Sequence, residues 1–284
     1  MAVSFGISAV PNAADLEEVR RAVVRADELG FELAGIQDHP YQVRFLETWS
    51  LLADLLARTE RIRVFPDVAN LALRLPAMIA KQAASLDVLS RGRFELGLGA
   101  GAFWEGIAAM GGPVRTPRES VEALEEAISI IRLYWSGERS ISFEGRYYTV
   151  KGLHPGPPPA HGIGIWVGAY KPRMLGLVGR VTDGWIPSLG YAPPEQIPAM
   201  RARVDEAAEA AGRDPTEIRR LYNVSGMIED GGVRERLHGP ASHWVEELRG
   251  FVDLGFDTFI FWPENDLVEQ IERFAAEVAP AVAA

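Results

Sequence analysis

The chain has 284 residues, 48% of them hydrophobic, with a formal net charge of −10 and a pI near 5.1. That length and apolar content suit one large domain with a substantial core, and the acidic balance, with Arg scattered among Glu and Asp, lacks the basic face of a nucleic-acid binder. With no Cys at all, disulfide scaffolds, thiolate catalysis and Cys-ligated metal are excluded.

No run approaches the roughly 18 apolar residues of a membrane span, and the opening MAVSFGISAV lacks the basic start and long apolar stretch of a signal peptide. A cytoplasmic protein is expected. Strand-like and helix-like patterns then alternate. Residues 3–8 form a short apolar strand, and 14–29 carry helical apolar spacing that ends before Gly30, a suitable C-cap. A second strand over 33–38 precedes a helix near 47–58. RIRVFPDV (61–68) is the third strand and 76–90 its helix; RFELGLG (93–99) is the fourth, followed by a long amphipathic helix over 118–135.

The pattern changes at SISFEGRYYTV (140–150), which reads as a hairpin turning at Glu144-Gly145. With the Pro-rich 156–162, it makes residues 136–162 an insertion on a single domain spanning 1–284. Strands at 163–168, 183–187, 218–226 and 257–262 follow, with helices at 172–180, 194–211, 242–254 and 266–279. Eight strand–helix units in strict alternation predict a parallel sheet closed into a (β/α)₈ TIM barrel carrying a short hairpin.

In such a barrel the site lies at the C-terminal ends of the strands. The residues there are Asp38 and His39, Asp67 to Asn70, Gly99 to Trp104, Gly168 to Arg173, Trp185 to Ser188, Asn223, Ser225 and Trp262. This rim is rich in aromatic, glycine and amide residues and poor in acids, as suits a planar ring. His39 is the only His at a strand end and can hold or donate a proton near neutral pH, or serve as a loop His with a structural hydrogen bond. The five His show no metal spacing, so no metal is expected. A Schiff-base enzyme needs a buried strand-end Lys. Only Lys171 of the three Lys is near such a place, and a phosphate contact suits it better.

Gly97-Leu98-Gly99-Ala100-Gly101 is not a dinucleotide fingerprint, because the spacing is wrong and no first βαβ unit surrounds it. It lets backbone approach a ligand closely, or packs a barrel corner tightly. Gly168-Ala169-Tyr170-Lys171 leads into a helix at Pro172, whose free N–H groups could hold an anion; a plain helix start is the alternative.

On GIQDHPYQ (35–42), RIRVFPDVANL (61–71), SRGRFELGLGAGAFWEG (90–106) and IWVGAYKPRMLGLVGRVTDGWIPS (165–188), the chain resembles the bacterial luciferase-like superfamily, and more closely its F420-dependent oxidoreductase branch. The resemblance covers nearly the whole chain and implies a barrel, usually dimeric, with the cofactor ring at the strand C-termini. It implies that Asp38 bonds the ring and that His39 sits at the reacting atom. It makes Asp67-Val68 a bulge, often a cis peptide, beneath the ring, with Asn70 on the same rim. It sets Gly99, Ala100 and Gly101 beside the cofactor tail, with Gly168, Ala169, Tyr170 and Lys171 at its phosphate.

There are departures. The sugar-phosphate dehydrogenases of this branch carry a Trp four residues after the His, where this chain has Val43. They carry an acid after the glycine run, where it has Ala102. The Gly pair common after strand five is here Tyr170-Lys171. That substrate is therefore not carried over. The expected activity is hydride transfer between F420 and a small organic substrate, with Trp104, Trp185 and Trp262 shaping an apolar pocket, or with Trp104 and Trp262 as plain packing residues. An FMN-dependent monooxygenase using O₂ is the alternative, and a non-catalytic flavin-binding protein a third. A small-molecule substrate, a homodimer, and neither nucleic acid nor membrane are the expected partners.

Overall fold

The computed structural model describes residues 3–283. Eight strands carry the architecture: β1 (Ser4–Ala9), β2 (Leu33–Ile36), β3 (Arg63–Pro66), β4 (Leu96–Gly99), β5 (Ile165–Val167), β6 (Gly184–Trp185), β7 (Arg219–Ile228) and β8 (Thr258–Pro263). They pair in parallel in the order β3-β2-β1-β8-β7-β6-β5-β4. A parallel bridge between Val64 and Phe94 joins β3 to the chain just before β4, and Ala69–Asn70 pairs with Leu98–Gly99. The ring is therefore a (β/α)₈ barrel, as the alternation predicted. Among the described residues, no helix is long and apolar enough to cross a membrane.

Alternation along the strands sorts the core into two parts. Leu33, Phe65, Trp166, Ile186, Leu221 and Ile260 form one buried cluster, the plug of the barrel, with Val68 and Trp262 against it. Their neighbours of opposite parity, such as Ala34, Val64, Val167, Tyr222 and Phe261, belong to the larger cluster between ring and helices. Each fully buried apolar side chain contributes roughly 1.5–3 kcal/mol.

Local signals fix the helix ends. The helix Pro117–Trp135 begins one residue before the predicted start because Thr116 and Glu119 close a capping box and Pro117 fits the first turn. Gly30 ends the helix Leu16–Leu29 in the left-handed conformation, at φ +85°.

Four expectations change. The hairpin strands are Ile141–Glu144 and Thr149–Leu153, and Glu144 pairs with Thr149. The turn is therefore Gly145 to Tyr148, where the Glu126 carboxylate accepts the backbone N–H groups of Arg146, Tyr147 and Tyr148. A distant helix, invisible to local pattern, moves the turn by one residue. A short helix, Trp104–Ala109, stands where the sequence suggested only loop. Trp185 does not shape a pocket. It is buried between ring and helices, where its Nε1 donates to the Ala169 carbonyl at 3.0 Å and its ring packs on Phe256. Strand three is shorter than 61–68 because it breaks at a bulge.

That bulge explains part of the glycine run. From Val64 to Ala69 the chain advances five residues while its partner advances four, from Phe94 to Leu98. The extra residue is accommodated at Asp67-Val68, whose peptide is cis. A Cβ on Gly97 would lie 2.2 Å from the Pro66 carbonyl oxygen, and one on Gly99 would lie 2.7 Å from the Val68 side chain. Only glycine leaves the bulge room at these two places.

Candidate active site at the C-terminal rim of the barrel

Most of the rim residues singled out in the sequence meet at the mouth of the barrel. Asp38, just past β2, is buried, and both its oxygens are engaged within the protein. Arg74 donates to them through Nη1 and Nη2 at 2.6 and 3.1 Å, and the Asn70 backbone N–H donates at 2.8 Å. Arg74 also donates to Glu47 at 2.6 Å and lies over the Trp49 ring. Glu47 itself caps the helix Thr48–Arg58 by accepting the Ser50 N–H. One guanidinium thus ties the ends of β2 and β3 to a helix start.

His39 follows as a half-buried ring stacked on Tyr41 at 5.5 Å, and Tyr41 packs on Phe103 at 5.1 Å. Burial lowers the His39 pKa, and the Asp38 charge opposes that only in part. The imidazole is neutral at pH 7 and can accept a proton. Val43, in place of the Trp of the sugar-phosphate branch, is almost fully exposed.

Asp67, at the bulge, lies deeper. It is buried on the inward face. Its Oδ2 accepts from Ser8 Oγ at 3.3 Å and its Oδ1 from Asn223 Nδ2 at 3.2 Å. Asn223 Nδ2 also reaches Ser188 Oγ at 3.3 Å, and Ser188 meets the Tyr170 hydroxyl at 3.2 Å through its backbone N–H. A polar layer therefore crosses the mouth from β1 through β3 and β7 to the ends of β6 and β5. Desolvation pushes the Asp67 carboxyl up to about 6, against the pull of Asn223, Ser8 and the Trp262 indole. That indole N–H stands near the carboxyl but makes no hydrogen bond of ordinary geometry, and Asn223 Oδ1 is likewise buried without a partner. Such orphaned groups on a rim are what a ligand would satisfy.

Asn70 bonds locally, its Oδ1 accepting the Ala72 N–H at 3.1 Å. Gly101 turns at φ +86° against Ile107, Ala72 and Asn70, with Ala100 half-buried before it. A Cβ on Gly168 would meet only the Ile186 carbonyl, at 3.4 Å. Ala169 turns its side chain into the outer core. Lys171 is exposed and precedes a helix N-terminus at Pro172 that no side chain caps. These features fit a flavin-type cofactor: an open glycine, free N–H groups beside a cation for a phosphate, and orphaned donors and acceptors for a ring.

The sequence reading missed Ser8, Tyr41, Glu47 and Arg74. Ser8 was findable, since it shares the inward parity of Gly6 on β1. Arg74 carried no local signal. The other clusters of polar residues lie elsewhere. His161 Nδ1 sits 2.7 Å from Asp87, tying the insertion to the helix Pro76–Ser90. Among the described residues no group of three His, Cys, Asp or Glu could hold a metal. One recess, about 1070 Å³, is a groove between the helices Leu16–Leu29 and Leu267–Arg273 that shares no residue with the rim. A smaller one, about 440 Å³, reaches the mouth at Ser8 and Trp262.

Comparison with known proteins agrees with the fold. Residues 2–231 match the family described as luciferase-like monooxygenase. An F420-dependent glucose-6-phosphate dehydrogenase of Intrasporangium calvum is 28% identical, over 91% of this chain and 92% of its own. A phthiodiolone/phenolphthiodiolone dimycocerosates ketoreductase of Mycobacterium tuberculosis is 38% identical, over 83% of this chain and 65% of its own. Among solved structures, an F420-dependent secondary alcohol dehydrogenase holding an F420-acetone adduct superposes with a TM-score of 0.89 at 17% identity, covering 99% of both chains.

Proposed function

Since the chain belongs to the luciferase-like monooxygenase family, and is an enzyme of it, we propose that it is an F420-dependent oxidoreductase acting on a small alcohol or carbonyl compound. The observation that carries this reading is the neutral, half-buried His39 beside an Asp38 whose charge Arg74 already balances. When bound, the deazaflavin accepts or donates the hydride. His39 accepts the hydroxyl proton at a ring nitrogen during oxidation, and returns it in reduction. Asp38 and Arg74 fix the Asn70 turn and the strand end from which His39 follows. The Val68 bulge and Trp262 would hold the ring, and the Gly99–Gly101 backbone would pass beside the cofactor tail. Gly168 to Lys171, with the free helix N-terminus, would hold the phosphate.

The substrate pocket is apolar. Tyr41 stacks on His39 and Phe103 packs on Tyr41, and neither Val43 nor Ala102 supplies the groups of the sugar-phosphate branch. This favours an uncharged substrate. The second reading, an FMN-dependent monooxygenase, rests on the family to which the chain belongs. A homodimer is part of the proposal, supported by the exposed Leu75, Met78 and Leu89 along one helix.

Titration of the apoprotein with F420, and separately with FMN, tests the cofactor. Micromolar or tighter binding of F420 with weak binding of FMN is expected. The reverse preference makes oxygen-dependent turnover the activity to assay, and binding of neither removes the cofactor assignment.

A further inference from the structure

The mouth of the barrel holds two buried carboxyls in opposite electrostatic settings. Asp38 is balanced by a guanidinium on both oxygens. Asp67 has only uncharged neighbours: Ser8 on β1, Gly35 on β2, Asn223 on β7, and the Trp262 indole on β8. Among the described residues it forms no ion pair. The ionisable group whose charge reaches it is Tyr170, which burial holds neutral. A buried carboxylate without a cation is costly, so this carboxyl binds a proton more tightly than an ordinary Asp.

The hydrogen bonds point the same way. Ser8 Oγ lies 3.3 Å from Asp67 Oδ2 and 3.1 Å from the Gly35 carbonyl oxygen. A serine has one hydroxyl hydrogen, so it cannot serve both acceptors at once. If Asp67 carries a proton, it can donate to Ser8, and Ser8 can donate to Gly35. Both contacts are then satisfied. Ser8 and Trp262 also line the recess at the mouth, which gives the proton a route from solvent.

We propose that Asp67 is a proton-storing residue of the cofactor site, and that binding an anionic flavin-type cofactor at neutral pH draws one proton from solvent onto its carboxyl. The reasoning is electrostatic. A phosphate-bearing cofactor brings negative charge and removes water from the rim, and both changes disfavour a second buried negative charge. The balance is simple: one hydrogen ion leaves bulk solvent and forms one O–H bond on Asp67, with no change in oxidation state. This rests on the cofactor reading above. It makes Asp67 a second titrating residue beside His39, and one that acts in binding.

The test is isothermal titration calorimetry of the protein with F420 at pH 7, in two buffers of different ionisation enthalpy. Uptake approaching one proton per cofactor is expected in the native protein, falling to about none in Asp67→Asn. Above neutrality, the native affinity should drop by up to tenfold per pH unit while that of the variant stays flat. No uptake by the native protein, or equal uptake by the variant, overturns the proposal. If F420 fails to bind, FMN is the second probe. If neither binds, the cofactor reading fails by itself, and carboxyl ¹³C NMR of the free protein decides on Asp67. A resonance lost in Asp67→Asn that titrates near pH 6 supports proton storage, and one that titrates in the ordinary Asp range overturns it.

Discussion

Arg74 grips Asp38 with both terminal nitrogens, at 2.6 and 3.1 Å, where the Asp38 side chain is wholly buried. Removing one partner of a buried pair leaves the other uncompensated and costs about 3–5 kcal/mol. Arg74→Met should lower unfolding stability by that order and release the Asn70 turn. In a double-mutant cycle read by urea unfolding, adding Asp38→Asn should cost much less than the sum of the single changes. Additive losses would mean that the pair is not the unit described.

The bulge needs Gly97. A methyl there would meet the backbone oxygen of Pro66 at 2.2 Å, a contact no rotamer can relieve. Gly97→Ala should destabilise the fold by roughly 1–3 kcal/mol, as overpacking does. Gly250, exposed in the helix Ala241–Asp253 with open space where its Cβ would stand, is the control. Gly250→Ala should stabilise by up to about 1 kcal/mol. Thermal unfolding of the two variants reads the contrast directly.

His39 is neutral at pH 7 because burial holds its pKa below the ordinary value. Its neutral form accepts the substrate proton, so oxidation should fail as pH drops through that lowered pKa, with an acid limb below the usual histidine range. His39→Ala should lose about 10²–10⁴-fold in turnover while still binding cofactor. Unchanged turnover would leave His39 a structural loop residue.

Asp67 should also mark the pH dependence of stability. Its folded carboxyl is pushed up to about 6 from an ordinary 3.8, so the folded state holds the proton longer than the unfolded chain. The stability this group contributes is full below about pH 4 and is lost as pH rises through 6. The expected size is about 3 kcal/mol, at roughly 1.4 kcal/mol per pKa unit. Other carboxylates slope the opposite way: Asp27, Glu32 and Glu47 have lowered pKa values, through hydrogen bonds and Arg partners that outweigh their desolvation. The comparison is therefore native protein against Asp67→Asn, by urea unfolding at pH 4.5 and 7.5. The variant should lose less stability over that interval, by an amount of this order.

The sequence by itself determined the barrel. Eight alternating units leave one closed architecture, and strand ends in that architecture locate Asp38, His39, Asp67 and the glycine-rich turns without coordinates. Gly30 and Pro172 were legible for the same reason: a C-cap and a first helical turn are local chemistry, written within a few residues. Tertiary structure decided what depends on partners distant in the chain. Arg74 meets Asp38 across 36 residues and Asn223 meets Asp67 across 156, separations over which no local spacing carries a signal. Trp185 looked like a rim residue, yet strand parity turns it outward against Phe256. The glycine run left close ligand approach and tight packing both open, and at Gly97 the bulge of the neighbouring strand decides for packing. Composition and periodicity set which faces are buried. Which buried carboxyl receives a counter-charge, and which is left without one, is fixed only when the ring closes and brings the strands side by side.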